Sequence, residues 1–363
     1  MQDVIRSDHF SMGQKVLQFE NDFAQFLGSK YAVMVNSGSS ANLLMIAALR
    51  YTKNDHLRLM PGDEVIVPAV SWSTTYYPLY QYGLKLKFVD INIETLNIDL
   101  EALESAITER TKAILCVNLL GNPNDFNAIN ALVLLEDNCE SMGATFDGKQ
   151  AGTFGVMGTF SSFFSHHIST MEGGVIATDD EELYQIMLSL RAHGWTRNLP
   201  KENLVSGTKS DDFFEESFRF VLPGYNLRPL ELSGALGIEQ VKKLPSLISE
   251  RRKNASLFVD AIGNHPDFML QTETGNSSWF GFSMVIRPES HMTRAMLLEK
   301  LNRLGFETRP IVTGNFAKNE VINYFDYEIY GDLKNANYID QNGLFIGNHH
   351  YDLSEAAACL TQL

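Results

Sequence analysis

Short apolar strands alternate with helical patterns along the first half of the chain, and this constrains the fold more than any other feature. Strand-like runs at Tyr31–Val35, Glu64–Val67, Leu86–Val89 and Ala113–Leu119 are separated by helix-like runs at Ala41–Tyr51, Thr74–Tyr82 and Leu100–Ile107. Such alternation implies βαβ units and a mostly parallel sheet, which places ligands at the carboxyl ends of its strands. One crossover is short for this scheme. Between Leu120 and Val133 only a turn or two of helix fits, where about 10–12 residues are usual, so a loop is expected to be missing from the sequence near Asn130–Leu132. Met1–Leu27 reads as a short lead and an amphipathic helix, and Glu181–Ala192 as another helix. His193–Phe218 reads as a long polar loop, and Glu231–Ile262 as a long helix broken near Pro245. The pattern then changes to helix, strands at Phe280–Ile286 and Thr308–Ile311, and further helices. Residues 1–247 are therefore expected to form a large domain and 248–363 a smaller α+β domain.

Four segments carry chemistry. In Asn36-Ser37-Gly38-Ser39-Ser40-Ala41-Asn42, a small, hydroxyl-rich turn opens an apolar helix. Its free amides and the positive end of the helix dipole suit an anion, although a serine N-cap explains the same residues. In Val133-Leu134-Leu135-Glu136-Asp137-Asn138-Cys139-Glu140 a buried strand runs into acids. Trp72 lies in a polar loop after the strand Glu64–Val67. The stretch 160–174, FSSFFSHHISTMEGG, brings a strand into paired histidines and then Glu172-Gly173-Gly174.

Composition removes several classes of function. The formal net charge of −15 argues against general nucleic-acid or anionic-membrane binding. No run of about 18 apolar residues and no signal peptide is present, so no membrane span is expected. The three cysteines, Cys116, Cys139 and Cys359, fit neither a disulfide framework nor a zinc site, and an iron–sulfur cluster normally takes four. Cys116 and Cys139, on or beside apolar strands, are expected as core thiols in a reducing cytoplasm, with no metal centre.

The four segments together resemble the DegT/StrS-type sugar aminotransferases, a branch of the fold-type I pyridoxal-phosphate enzymes, over essentially the whole chain. The resemblance implies an aspartate aminotransferase-like α/β fold: a large domain with a mostly parallel mixed sheet and a smaller C-terminal α+β domain. It implies that Gly38 and Ser39 hold the cofactor phosphate through their amides and Ser161 through its hydroxyl. It further implies that Asp137 pairs with the pyridine nitrogen, that Trp72 stacks on the ring, and that Asn226 reaches the cofactor of a second subunit in a homodimer.

Two departures from the family pattern matter more than the matches. Aligned on Glu172-Gly173-Gly174, the family's cofactor-linking lysine falls on His166, and its strand-end glutamine is Glu140. Imidazole cannot make the covalent link, so pyridoxal or pyridoxamine 5′-phosphate is expected to be held noncovalently, with His166 moving protons. Glu140 is expected on the phenolic side of the ring or against His166. Two branches of the family carry this histidine. One acts on a CDP-sugar and needs an iron–sulfur cluster. The other removes the C3 hydroxyl of GDP-4-keto-6-deoxy-D-mannose on the way to colitose in lipopolysaccharide O-antigen, with L-glutamate as amine donor. The cysteine count favours the second, as do the segments VPAVSWSTTYYPLYQYG, RAHGWTRNLP and RPIVTGNF. His193, Arg197, Arg228 and Arg309 are candidates for the GDP-sugar or the glutamate carboxylate, since arginine suits bidentate anion recognition. A nucleotide-sugar aminotransferase and a non-catalytic sugar-binding protein remain the alternatives.

Overall fold

The computed structural model describes residues 1–129 and 133–363; the expected gap in the sequence near 130–132 lies outside the described residues. Helices α1 (Gln2–Ser7) and α2 (Gln14–Leu27) precede β1 (Tyr31–Val35) and α3 (Gly38–Tyr51). Then come β2 (Glu64–Pro68), α4 (Ser73–Gln81), β3 (Lys85–Val89), α5 (Leu100–Ala106), β4 (Thr111–Val117) and β5 (Leu134–Asp137). A hairpin, β6 (Thr145–Phe146) with β7 (Lys149–Gln150), leads to β8 (Met157–Ser161), β9 (Gly174–Thr178) and α6 (Glu181–Leu190). The long polar loop holds a second hairpin, β10 (Glu202–Asn203) with β11 (Gly207–Thr208), and α7 (Phe213–Ser217). The remainder is α8 (Glu231–Ile262), β12 (Phe268–Met269), β13 (Gly281–Ile286), α9 (Arg294–Arg303), β14 (Thr308–Arg309), β15 (Tyr327–Ile329), α10 (Lys334–Asn342), β16 (Gly343–Gly347) and α11 (Ser354–Leu360).

The large sheet has the order β1-β9-β8-β5-β4-β2-β3-β15. Only β9 runs against the others. Apart from the edge strand β15, its strands are buried on both faces, as a sheet covered by helices on each side requires. Along β2, for example, Val65 and Val67 face one apolar cluster with α3 and α4, whereas Ile66 faces another with α5. Beyond β1, Ala32 and Met34 pack with Phe19 and Phe23 of α2 and with Val241, Leu244 and Ile248 of α8. A second, antiparallel sheet, β12-β13-β16-β14, packs on the end of α8 and on α9 and α11. β15 returns to the edge of the large sheet, parallel to β3.

Several boundaries differ from the sequence reading. α8 is one helix of 32 residues that continues through Pro245. Proline removes one hydrogen bond, but Val241, Leu244 and Ile248 are buried against α2 on both sides of it, and this packing keeps the axis continuous. α3 begins at Gly38, so the serine turn is itself the first turn of the helix. β4 stops at Val117; Leu119 lies in a 3-10 turn where Leu120 takes φ 54°. β8 stops at Ser161, five residues before His166, which sits in a turn closed by its own N–H on the Phe163 carbonyl (2.9 Å).

Candidate functional site

The register of the large sheet brings four chain segments to one point. Val35 and Ser161 both pair with Gly174, and Asp137 stands beside Val117 and Thr159. The carboxyl ends of β1, β4, β5 and β8 therefore open into one cavity of about 340 Å³. Seven of the twelve candidate residues line it: Gly38, Ser39, Trp72, Asp137, Glu140, Ser161 and His166.

At one end lies the start of α3. Ser37 caps it by accepting from the Ser40 N–H (3.0 Å), so the capping explanation and the anion-site explanation both hold for this turn. The first amides of a helix have no acceptor inside it, which leaves those of Gly38 and Ser39 for a ligand. Glycine is required at position 38: a Cβ there would lie 2.8 Å from Ser161 Cβ and 3.1 Å from Cys139 Sγ. The Ser39 hydroxyl donates to Thr74 Oγ1 (2.9 Å), and Ser161 lies at the same end.

At the other end Asp137 is buried, and its three partners are neutral donors. Asn42 Nδ2 and Thr75 Oγ1 each donate to Oδ2 at 2.8 Å, and the Cys139 N–H donates to Oδ1 at 3.1 Å. Each donor is itself fixed. Thr159 donates to Asn42 Oδ1 (2.6 Å), which sets the amide orientation, and Ser71 donates to Thr75 Oγ1 (2.8 Å), because the single Thr75 proton is used on Asp137. A buried carboxylate compensated only by neutral donors suits a ligand that brings a cation. Asn42, Thr75 and Ser71 were not assigned from the sequence; Asn42 lay inside the quoted turn, whereas nothing local marks Thr75.

His166 Nδ1 stands 2.8 Å from the Cys139 carbonyl. A carbonyl only accepts, so Nδ1 carries the proton and Nε2 presents a lone pair. Burial holds the imidazole well below its ordinary value, at about 4; the Cys139 carbonyl acts in the opposite sense. The ring is thus neutral at physiological pH and ready to accept a proton at Nε2. Neighbouring His167 is buried, with Nε2 on the Ser278 carbonyl (3.2 Å), and does not line the cavity. Of the two histidines, His166 lines the cavity and His167 does not.

Glu140 lines the cavity, with Oε2 accepting from the Leu120 N–H at 3.0 Å. Burial, opposed by that bond, pushes its carboxyl up to about 7. Because the folded value lies above the unfolded one, the stabilising proton is fully present below about pH 4.5 and is lost as pH rises through about 7. The expected result is that cofactor-free Glu140→Gln gains in melting temperature relative to the parent protein as pH is raised from about 5 to about 8. Melting curves that stay parallel over this interval would remove the buried proton from the account.

The other five candidates lie apart from this cavity. Asn226 is exposed and pairs with Ala192 in an isolated bridge. Arg228 Nε donates to Asn226 Oδ1 (2.9 Å). His193, Arg197 and Arg228 gather round Trp195: the His193 ring centroid lies 4.8 Å from that of Trp195, and the guanidinium carbons lie 4.3 and 6.0 Å from it. Trp195 was not singled out from the sequence. Exposed Arg309, on β14, donates to Glu307 Oε2 (3.3 Å) and to the Thr308 carbonyl. Among the described residues no group of His, Cys, Asp and Glu has the arrangement of a metal site, and all three cysteines are free.

The strand-end cavity and the surrounding sheet define a fold-type I cofactor enzyme, and the chain belongs to the DegT/DnrJ/EryC1/StrS aminotransferase family, whose model matches residues 1–358. Within that family it is 65% identical over 360 residues to the GDP-4-keto-6-deoxy-D-mannose 3-dehydratase of Escherichia coli O55:H7, covering 97% of this chain and 92% of that one. Two crystal structures of GDP-4-keto-6-deoxymannose-3-dehydratase superpose with TM-score 0.97 at 63% identity, covering 99% of this chain and 95% of each. One contains a trapped PLP-glutamate geminal diamine; the other is a histidine-to-asparagine variant of ColD with bound GDP-perosamine. Three aminotransferases at 22–24% identity and a 3-amino-5-hydroxybenzoic acid synthase at 21% share the fold.

Proposed function

We propose that this protein is a 3-dehydratase that removes the C3 hydroxyl of GDP-4-keto-6-deoxy-D-mannose, using pyridoxamine phosphate and drawing its amine from L-glutamate. The observation that carries this reading is His166 Nε2, a neutral and unlinked base at the family's lysine position in a cavity whose lining contains no lysine. The identity to the 3-dehydratase sequences supports it, and the sugar aminotransferase is disfavoured for want of that lysine.

The cavity fits the cofactor, since amides and hydroxyls at one end suit its phosphate and the cation-free Asp137 at the other suits a protonated ring nitrogen. When bound, the cofactor supplies the amine that condenses with the 4-keto group and an electron sink. Gly38, Ser39 and Ser161 hold the phosphate. Asp137, kept in place by Asn42 and Thr75, keeps the ring nitrogen protonated. Trp72 covers the ring face. His166 Nε2 accepts the proton from the cofactor's C4′ carbon and returns it as general acid. Glu140, as a carboxylic acid, donates to the phenolic side. The net reaction balances as ketosugar plus glutamate giving the 3-deoxy ketosugar, 2-oxoglutarate and ammonia. No electron-donating protein and no cluster enters it.

The same reading makes the active unit a homodimer. In one protomer Asn226, Arg228 and Arg197 lie away from the cavity, and Phe213, Phe214 and Phe218, in the same long loop as Arg197, stand 87, 88 and 69% exposed. A second copy covers these rings and presents His193, Arg197, Asn226 and Arg228 to its neighbour's cofactor and substrate; Arg309 is assigned to an anionic part of the substrate. Light scattering should give twice the chain mass, and a fully active monomer would remove this arrangement. The division at 247/248 separates the cofactor-binding unit from the smaller one, which lends β15 back to the large sheet. No helix among the described residues is long and apolar enough to cross a membrane, and three unpaired thiols suit the cytoplasm, where a GDP-sugar for colitose and O-antigen synthesis is made.

The amine balance tests this function. With glutamate, turnover should release one ammonia and one 2-oxoglutarate per sugar, and without glutamate or pyridoxamine phosphate it should stop. Sustained turnover with neither, or a need for a reductase, would contradict the reading.

A further inference from the structure

Arg251, in the middle of α8, is 1% exposed, the largest fully buried side chain among the described residues. Among the described residues its side-chain hydrogen bonds go only to carbonyls. Nη1 donates to Asn348 (2.8 Å) and Phe280 (3.3 Å), and Nη2 donates to His166 itself (3.5 Å). Nε is buried without a partner. Asn348 locks the arrangement by donating to the carbonyls of Arg251 and Trp279, both at 2.9 Å. The Phe280 ring, whose carbonyl Arg251 holds, packs on the His166 imidazole with centroids 5.1 Å apart and planes at 73°.

A buried guanidinium without a carboxylate is expensive, and an apolar residue of similar size is the more stable occupant of such a place. The charge therefore calls for a use. We propose that Arg251 is a positioning residue for His166: it pins the backbone of the base and the aromatic ring against it, and sets a buried positive charge beside the imidazole. This inference rests on the reading of His166 as the base.

The other charged or titratable groups facing His166 are Asp137 from β5, Cys139 and Glu140 from the turn after it, Glu172 from the β8–β9 loop, and His167 beside it. After burial, Arg251 lowers the proton affinity of His166, and Asp137 opposes it. The same guanidinium also lowers the proton affinity of His167, His349 and His350, in each case after burial.

R251Q and R251K test the inference, since glutamine can still donate to a carbonyl without charge and lysine keeps the charge without the planar fork. The first readout is the proton-NMR titration of the His166 ring in cofactor-free protein, assigned by its absence in His166→Asn. R251Q should raise the midpoint by roughly one unit and move the acid limb of kcat/KM in the same direction. R251K should leave the midpoint near that of the parent and lower kcat on the order of tenfold, with KM unchanged. An R251Q midpoint equal to the parent's would overturn the proposal. If R251Q does not fold, R251K still decides, because parental kcat in that variant contradicts the pin. A raised midpoint with an unmoved rate profile would support the action of Arg251 on the ring and overturn only the base assignment.

Discussion

His166→Asn abolishes dehydration and leaves cofactor binding in place. Asparagine matches the reach of Nδ1 and can donate to the Cys139 carbonyl as His166 does at 2.8 Å, so the local turn survives. What it lacks is the Nε2 lone pair. General acid–base catalysis is worth roughly 10²–10⁴-fold, and the same group serves in both directions of proton transfer, so the loss lies at or beyond the upper end. Cofactor affinity, read by absorbance titration, should change little, because Gly38, Ser39, Ser161 and Asp137 are untouched. His166→Lys should instead trap pyridoxal phosphate as a borohydride-reducible adduct and dehydrate poorly. Turnover of the asparagine variant within a few-fold of the parent would move the base to another group, and His167 is the nearest.

Asp137→Asn is the second large effect. The Asn42 amide and the Thr75 hydroxyl both aim donors at Oδ2, and the Cys139 amide aims one at Oδ1. An asparagine satisfies one side and turns its own NH₂ against the other, leaving a buried donor unpaired at a cost of about 1–3 kcal/mol. It also removes the charge that holds a proton on the ring nitrogen, an electrostatic loss worth roughly 10²–10³-fold or more in kcat. Two measurements separate these effects. The melting temperature of cofactor-free protein reports the packing fault, and the rise in melting temperature on adding pyridoxamine phosphate reports the lost ion pair. The rise should shrink strongly. A variant that keeps the parental rise and turns over within tenfold of it would take Asp137 out of the cofactor site.

What the sequence disclosed was local. The serine turn before an apolar helix, the acids ending a buried strand and the histidine counted back from Gly174 are signals within a few residues, and Ser37, Gly38, Ser39, Asp137, Glu140 and His166 from them line the cavity. The supports were not legible, because they are made by residues far apart in the chain. Thr75 and Asn42 meet Asp137 across 62 and 95 positions, and Arg251 meets His166 across 85. The tautomer of His166 likewise depends on a carbonyl 27 residues away. Helix α8 was read as broken because Pro245 is a local signal, whereas the packing that overrides it is not. The long polar loop hid two short strands and a helix, since elements of two to five residues have no periodicity to detect.

The central claim is that a family cavity with histidine in place of lysine eliminates a hydroxyl where its relatives transfer an amine. The direct measurement is mass spectrometry of the sugar formed from GDP-4-keto-6-deoxy-D-mannose with ¹⁵N-labelled glutamate. A nitrogen-free 3-deoxy ketosugar, with the label recovered as ammonia, is the result predicted. A 4-amino sugar carrying the label, its C3 hydroxyl intact, would contradict the account.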